Sequence, residues 1–189
     1  MINYAKTNSH FKRGYNRISA IVTDGTAILG YGDIGPRAGL PVMEGKSLLF
    51  RSLGGANVVP ICINKRETPE EAVEAILDLT YYFKAINLED IKAPECFKIE
   101  SSLSEKKVLP IFHDDQHGTA IVTLAALINA AKVRQTSIES MKVVINGAGA
   151  AGITIAKLLL DYGVKEMIIC DSKGAIFEGR KVGMNDEKE

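Results

Sequence analysis

The chain has 189 residues, 46% of them hydrophobic and 24% charged, enough apolar material for one ordinary core or two small ones. Its 23 Lys and Arg balance 23 Asp and Glu, which excludes the global basic field that gathers nucleic acid or anionic lipid, so any anion must be held locally. No apolar run approaches bilayer-crossing length and the polar opening 1–6 lacks the apolar stretch of a secretory leader, so the cytoplasm is the expected location, without nucleic acid or membrane as partner. Cys62, Cys96 and Cys170 are an odd number at wide spacing, fitting neither a disulfide framework nor a zinc knuckle.

In chain order, Ile18 to Val22 is a β-branched run that reads as a strand ending in the turn Thr23-Asp24-Gly25. A stretch with Gly25, Gly30, Gly32 and Gly35 follows, before Pro36 or Pro41 opens a helix reaching about Leu53. Asn57 to Ile63 reads as a strand. Thr68-Pro69-Glu70-Glu71 combines an N-cap, a proline at the first helical position and a glutamate at the third, predicting a helix to about Lys84. Ile86 to Leu88 and Val108 to Phe112 read as strands around a helix from Glu95 to Ser104, and Gly118 to Val133 as a long, alanine-rich helix apolar on all sides, expected to be largely buried. After the polar stretch 134–140 come strand Lys142 to Ile145, a glycine turn, helix Ala151 to Tyr162 and strand Glu166 to Cys170. The alternation implies an α/β fold with a largely parallel sheet, and the polar stretch sets the expected boundary between a domain at 1–135 and the start of a second at 136–189.

Gly147, Gly149 and Gly152 form G-x-G-x-x-G directly after a strand and before a helix, the context in which the pattern signifies dinucleotide binding. Gly147 permits the tight turn, Gly149 the close approach of a pyrophosphate, and Gly152 the packing of helix on strand, while Ala150 and Ala151 begin the helix whose amides face the phosphates. Nineteen residues beyond Gly152, Asp171 ends the next strand, where its carboxylate can accept both hydroxyls of an adenosine ribose and favour NAD. Lys173 pulls the other way, since a cation there can pair with the 2′-phosphate of NADP.

In the helix from Pro41 to Leu53, helical periodicity puts Val42, Lys46, Leu49 and Leu53 on one stripe flanked by Met43 and Phe50, with Glu44, Ser47 and Arg51 opposite. A lysine mid-stripe either snorkels to the rim or places its amine in a pocket among acids, where desolvation lowers its pKa toward general-base range. Glu89-Asp90 and Asp114-Asp115 each follow a strand. In a parallel sheet such ends share one rim, so Glu89, Asp90 and Asp115 together suit Mg²⁺ or Mn²⁺. The alternatives are a solvated turn for Glu89-Asp90 and a helix N-cap for Asp115. His113 and His117, with no third histidine near, read as polar supports.

The motifs Val22-Thr-Asp-Gly-Thr-Ala-Ile-Leu-Gly-Tyr-Gly-Asp-Ile-Gly-Pro36, Gly39-Leu-Pro-Val-Met-Glu-Gly-Lys46, Ile86-Asn-Leu-Glu-Asp90, Phe112-His-Asp-Asp-Gln-His-Gly-Thr-Ala120 and Asn146-Gly-Ala-Gly-Ala-Ala-Gly152 resemble the small-subunit bacterial malic enzymes. The resemblance runs from about Arg17 to Arg180. It implies a metal and substrate domain followed by a Rossmann domain, here its first βαβ unit. It also implies oxidative decarboxylation of L-malate to pyruvate and CO₂ with NAD or NADP and with Mg²⁺ or Mn²⁺, in a homo-oligomer such as a dimer. By motif, Lys46 matches the general base, Asp114 an acid that orients it, and Glu89, Asp90 and Asp115 the metal ligands. The family's Tyr-Thr-Pro-Gly segment, with its general-acid tyrosine, has no counterpart here, since Tyr4 and Tyr15 lack that context. The family's dinucleotide domain also continues past the last residues present. The expectation is therefore a portion of such an enzyme, truncated at both ends, whose alternative role is that of an inactive metal-, dinucleotide- or subunit-binding module.

Overall fold

The structure is a computed structural model that describes residues 18–189. Tyr4 and Tyr15 lie outside the described residues. The chain divides into two compact units, one holding the residues described up to Ile91 together with Lys98–Phe112, the other holding Lys92–Phe97 and His113–Glu189.

The first unit is built on strands β1 (Ile18–Thr23), β2 (Asn57–Cys62), β3 (Ile86–Leu88) and β4 (Ile111–His113), in the spatial order β2-β1-β3-β4. β1 pairs in parallel with both neighbours, Thr23 against Cys62 on one side and Val22 against Leu88 on the other. That register sets the carboxyl ends of β1 and β3 beside each other, and Glu89 N–H donates to Val22 O at 2.9 Å to continue the ladder past β3. Ala20, Ile21, Val22, Ile86 and Leu88 are almost wholly buried, as the continuous apolar run of a parallel strand covered on both faces requires. Ile21, Ile28, Met43 and Val58 make one core cluster, with Phe50 packed against it.

Helix α1 (Gly35–Gly54) follows the glycine-rich stretch, and α2 (Pro69–Leu77) starts as its sequence predicts, Thr68 Oγ1 accepting from Glu71 N–H at 3.3 Å. Several expectations need correction. α2 stops at Leu77 and tightens into a 3₁₀ turn, Asp78–Tyr81, rather than running to Lys84; Thr80 Oγ1 donates to Leu77 O at 2.7 Å and offers the backbone a local alternative to the helix. β4 is short and begins at Ile111, because Lys107 has φ 51 and Pro110 precedes it without an N–H to give a ladder. The stripe of α1 is rotated from the expected one: Gly39 and Met43 are buried with Phe50 beside them, and Ser47 lies on that side, its Oγ donating to Val58 O at 2.5 Å. Leu49 and Leu53 face out, at 52% and 83% exposure. A helix whose apolar residues exceed one face leaves the choice of face to packing, here to the small Gly39 and the flexible Met43.

In the second unit, α3 (Glu95–Glu105), which straddles the division, contributes its first residues, and a π-helical turn, Asp114–Gly118, leads into α4 (Thr119–Arg134). The expected burial of α4 is overturned. Only Ala120 and Ala131 are buried, while Ile121 and Val122 are more than half exposed and Val133 is 85% exposed. Its apolar character on all sides reflects composition, and the described residues of the unit cover it with one helix and the π-turn. β5 (Lys142–Asn146) and β6 (Glu166–Asp171) pair in parallel around α5 (Ala150–Asp161), and a two-residue strand β7 (Gly174–Ala175) returns antiparallel to β6, an element not anticipated from the sequence. The protein is thus α/β, with a parallel-sheet unit followed by a βαβ unit. No helix of the described residues is long and apolar enough to cross a membrane.

Candidate active site

In the first unit the site begins at the turn after β1. Thr23 Oγ1 accepts from Gly25 N–H at 3.0 Å, and Asp24 Oδ1 accepts from the Thr26 N–H at 3.0 Å and from the Thr26 hydroxyl at 2.6 Å. Gly25 is required: its φ is +71 and a Cβ would stand 2.3 Å from the carbonyl carbon of Gly35. The turn is joined to the next strand end by Ala27 N–H, which donates to Asp90 O at 2.9 Å.

Glu89 and Asp90 follow β3 and are buried, at 6% and 5% exposure, deeper than a solvated turn allows. Asp90 has φ 53, a left-handed conformation that costs a non-glycine residue free energy and clusters at functional sites. Lys46 reaches from α1 to place its Nζ 3.1 Å from Glu89 Oε1, with 27% of its side chain exposed, so its amine stands among acids rather than snorkelling into bulk water. Asn87, buried on the same strand face as Glu89, donates its Nδ2 to Glu89 Oε2 at 2.7 Å, and its own Oδ1 has no partner among the described residues. Sequence reading passed over Asn87; its offset of two from Glu89 on a strand was the available sign. Two buried carboxylates, Glu89 and Asp90, thus lie close together, with the Lys46 ammonium on the first. Hard oxygens in excess of positive charge are the donor chemistry that suits a divalent cation such as Mg²⁺ or Mn²⁺.

In the second unit, His113 is fully buried and its Nδ1 lies 4.0 Å from Asp115 Oδ2. Asp114 and Asp115 stand in the first turn of the π-helical segment, whose N-cap position is His113 and carries no side-chain cap hydrogen bond. The Asp114 carboxylate folds back over Gly118, where a Cβ would meet its Oδ1 at 2.1 Å; only glycine leaves that acid its place.

The glycine turn after β5 has the shape a dinucleotide needs. Gly147 N–H donates to Cys170 O at 2.8 Å and its φ is +127, while a Cβ on Gly152 would lie 1.7 Å from Gly147 O. A Cβ on Gly149 would meet nothing within 4 Å, leaving open space above the backbone that begins α5, where Ala150 and Ala151 present their amides. Asp171 ends β6 as expected, yet its carboxylate is held by Arg180 at 2.7 and 2.8 Å and by Lys188 at 2.9 Å. Hydrogen bonds from Lys188 and Arg180 hold that carboxyl well below the usual carboxylate range. No sequence pattern marked Arg180 or Lys188, which meet Asp171 only through the fold.

This geometry, a parallel-sheet unit with a lysine set beside buried acids followed by a βαβ unit with a glycine-rich turn, defines an α/β protein with the start of a nucleotide-binding type of unit. Comparison with known proteins makes this specific. The malic enzyme N-terminal domain profile matches residues 5–104 and the malic enzyme NAD binding domain profile matches residues 116–187, so the chain belongs to the malic enzyme family. It is 57% identical over 169 residues to the bifunctional malic/malolactic enzyme of Bacillus subtilis, covering 89% of this chain and 41% of that protein. It is 52% identical over 157 residues to the NAD-dependent malic enzyme of Geobacillus stearothermophilus, covering 83% and 33%. The crystal structure of the NAD-dependent malic enzyme of Thermotoga maritima superposes with a TM-score of 0.88 at 44% identity, over 99% of this chain and 49% of that one. The chain therefore spans less than half the length of these relatives.

Proposed function

We propose that the chain carries the metal and substrate side, and the opening of the dinucleotide side, of an NAD(P)-dependent malic enzyme that converts L-malate to pyruvate and CO₂. The observation that carries this reading is Lys46 Nζ held 3.1 Å from buried Glu89, beside the strained and buried Asp90. Lys46 takes the proton of the malate C2 hydroxyl as general base, and Asp114 orients it. Glu89, Asp90 and Asp115 would hold Mg²⁺ or Mn²⁺, which would supply Lewis acidity to the substrate oxygens. Asn87 keeps one Glu89 oxygen fixed while Lys46 engages the other. Gly147, Gly149 and Gly152, with the first amides of α5 at Ala150 and Ala151, seat the pyrophosphate of NAD or NADP, the hydride acceptor, and Asp171 lies at the adenosine end. The domain boundary at 135/136 and a cytoplasmic homo-oligomer belong to the same proposal; exposed Leu29, Leu48 and Leu53 support self-association.

The test is the purified chain with L-malate, Mn²⁺ and NAD or NADP, followed by the absorbance of reduced nicotinamide. Mn²⁺-dependent reduction that disappears in Lys46→Met supports the reading. A melting temperature raised by Mn²⁺ and oxaloacetate without turnover would instead assign the chain a binding role, and no response to either would overturn both.

A further inference from the structure

The two oxygens of Glu89 are held by donors of different charge. Oε2 accepts from the neutral amide of Asn87, whose Nδ2 lies at 2.7 Å, and Oε1 accepts from the Lys46 ammonium at 3.1 Å. A divalent cation that takes Glu89 as ligand tolerates the first donor and not the second. A neutral N–H on a ligating carboxylate orients it, as outer-shell donors commonly do. An ammonium on the same carboxylate instead sets a like charge close to the ion, at an acid whose side chain is only 8% exposed and where water screens little. The fold lets the lysine leave while its surroundings stay. Asn87 is buried on β3, in register with Ile21 of β1, so its amide has a fixed base. Helix α1 is held on either side of Lys46 by the fully buried Met43 and by Ser47, whose Oγ donates to Val58 O at 2.5 Å. The Lys46 side chain is 27% exposed, so its ammonium has a way toward solvent along a flexible stem that Glu89 lacks.

We propose that the Lys46 ammonium and a divalent cation are alternative occupants of Glu89 Oε1: the lysine is the counter-ion of Glu89, and the ion gains that oxygen only by moving the amine off it, while Asn87 stays on Oε2. The inference rests on the cation reading of Glu89 and Asp90 and deepens it by naming how that site is regulated. Each occupant weakens the other by the same factor, so the lysine sets the cation affinity and the cation sets where the lysine points. The amine that the proposed reaction needs at the substrate is thereby delivered to it when the ion is in place.

Calorimetric titration of the full 189-residue chain with Mn²⁺, wild type against Lys46→Met and Lys46→Arg, reads the competition, and a crystal structure of the wild-type chain with Mn²⁺ reads the displacement. Lys46→Met, which keeps an unbranched stem and removes the charge, is expected to bind Mn²⁺ roughly tenfold tighter than wild type, and Lys46→Arg, which keeps the charge, to lose most of that gain. In the crystal, Lys46 Nζ is expected beyond ion-pair reach of Glu89 Oε1, with Asn87 Nδ2 still on Oε2. Binding seen in Lys46→Met alone supports the competition in its strongest form. Mn²⁺ bound with Lys46 Nζ still 3.1 Å from Glu89 Oε1, Lys46→Met binding no tighter than wild type, or Lys46→Arg binding as tightly as Lys46→Met overturns this proposal and leaves the cation reading standing. Binding by none of the three chains overturns both.

Discussion

Two strand-end clusters in this molecule use the same scaffold to opposite electrostatic effect. Each sits at the carboxyl end of a parallel strand, beside a turn that only glycine allows, Gly25 in the first unit and Gly147 with Gly152 in the second. At the first, the buried acids Glu89 and Asp90 lie together and the Lys46 ammonium pairs with Glu89. At the second, the Asp171 carboxylate is paired with both Arg180 and Lys188. The parallel sheet supplies the rim in both cases, and the residues delivered to it by other segments set its balance of charge. For Glu89 that residue comes from the preceding helix α1; for Asp171 it comes from the segment beyond β7.

The comparison breaks most readily at the glycines. Gly152→Ala forces a Cβ to 1.7 Å from Gly147 O and Gly25→Ala forces one to 2.3 Å from Gly35 with an unfavourable φ. Each is expected to cost about 3 kcal/mol or more in urea unfolding, against less than about 1 kcal/mol for Gly45→Ala, whose Cβ meets nothing. Next comes Asn87→Leu, which removes the donor to Glu89 Oε2 inside the buried rim. It is expected to cost on the order of 1–3 kcal/mol and to weaken Mn²⁺ binding, whereas a matching change at the second cluster, Lys173→Gln, leaves Mn²⁺ binding alone. The smallest effect is one of pH. The Asp171 carboxyl is held below its ordinary value of 3.8, so its contribution to stability is present above that value and is lost as pH falls through the lower folded value. Thermal melts of wild type and Asp171→Asn should differ near pH 7 and converge as pH drops below about 4.

Much of the scaffold was legible in the residues. The β-branched run at Ile18–Thr23, the Thr68 cap and the glycine turn of β5 each carry a local physical requirement that the neighbouring sequence states. The face of α1 and the exposure of α4 were not legible, because a helix with more apolar residues than one face needs takes its orientation from what packs on it. The acids at Glu89 and Asp90 were visible as residues, but their burial, the left-handed backbone of Asp90 and the support from Asn87 are products of the β1–β3 register. Arg180 and Lys188 carry no local sign at all, since they reach Asp171 across nine and seventeen residues of irregular chain.

The central claim is the proposed one, that the acids Glu89, Asp90 and Asp115 hold a divalent cation. Calorimetric titration of the chain with Mn²⁺ tests it most directly. The account predicts one ion bound per chain, with affinity reduced by more than the roughly 10–100-fold typical of outer-shell changes in Glu89→Gln, Asp90→Asn and Asp115→Asn, and little altered in Lys173→Gln. Absence of Mn²⁺ binding by the folded wild-type chain, or binding that these three substitutions leave intact, would contradict it.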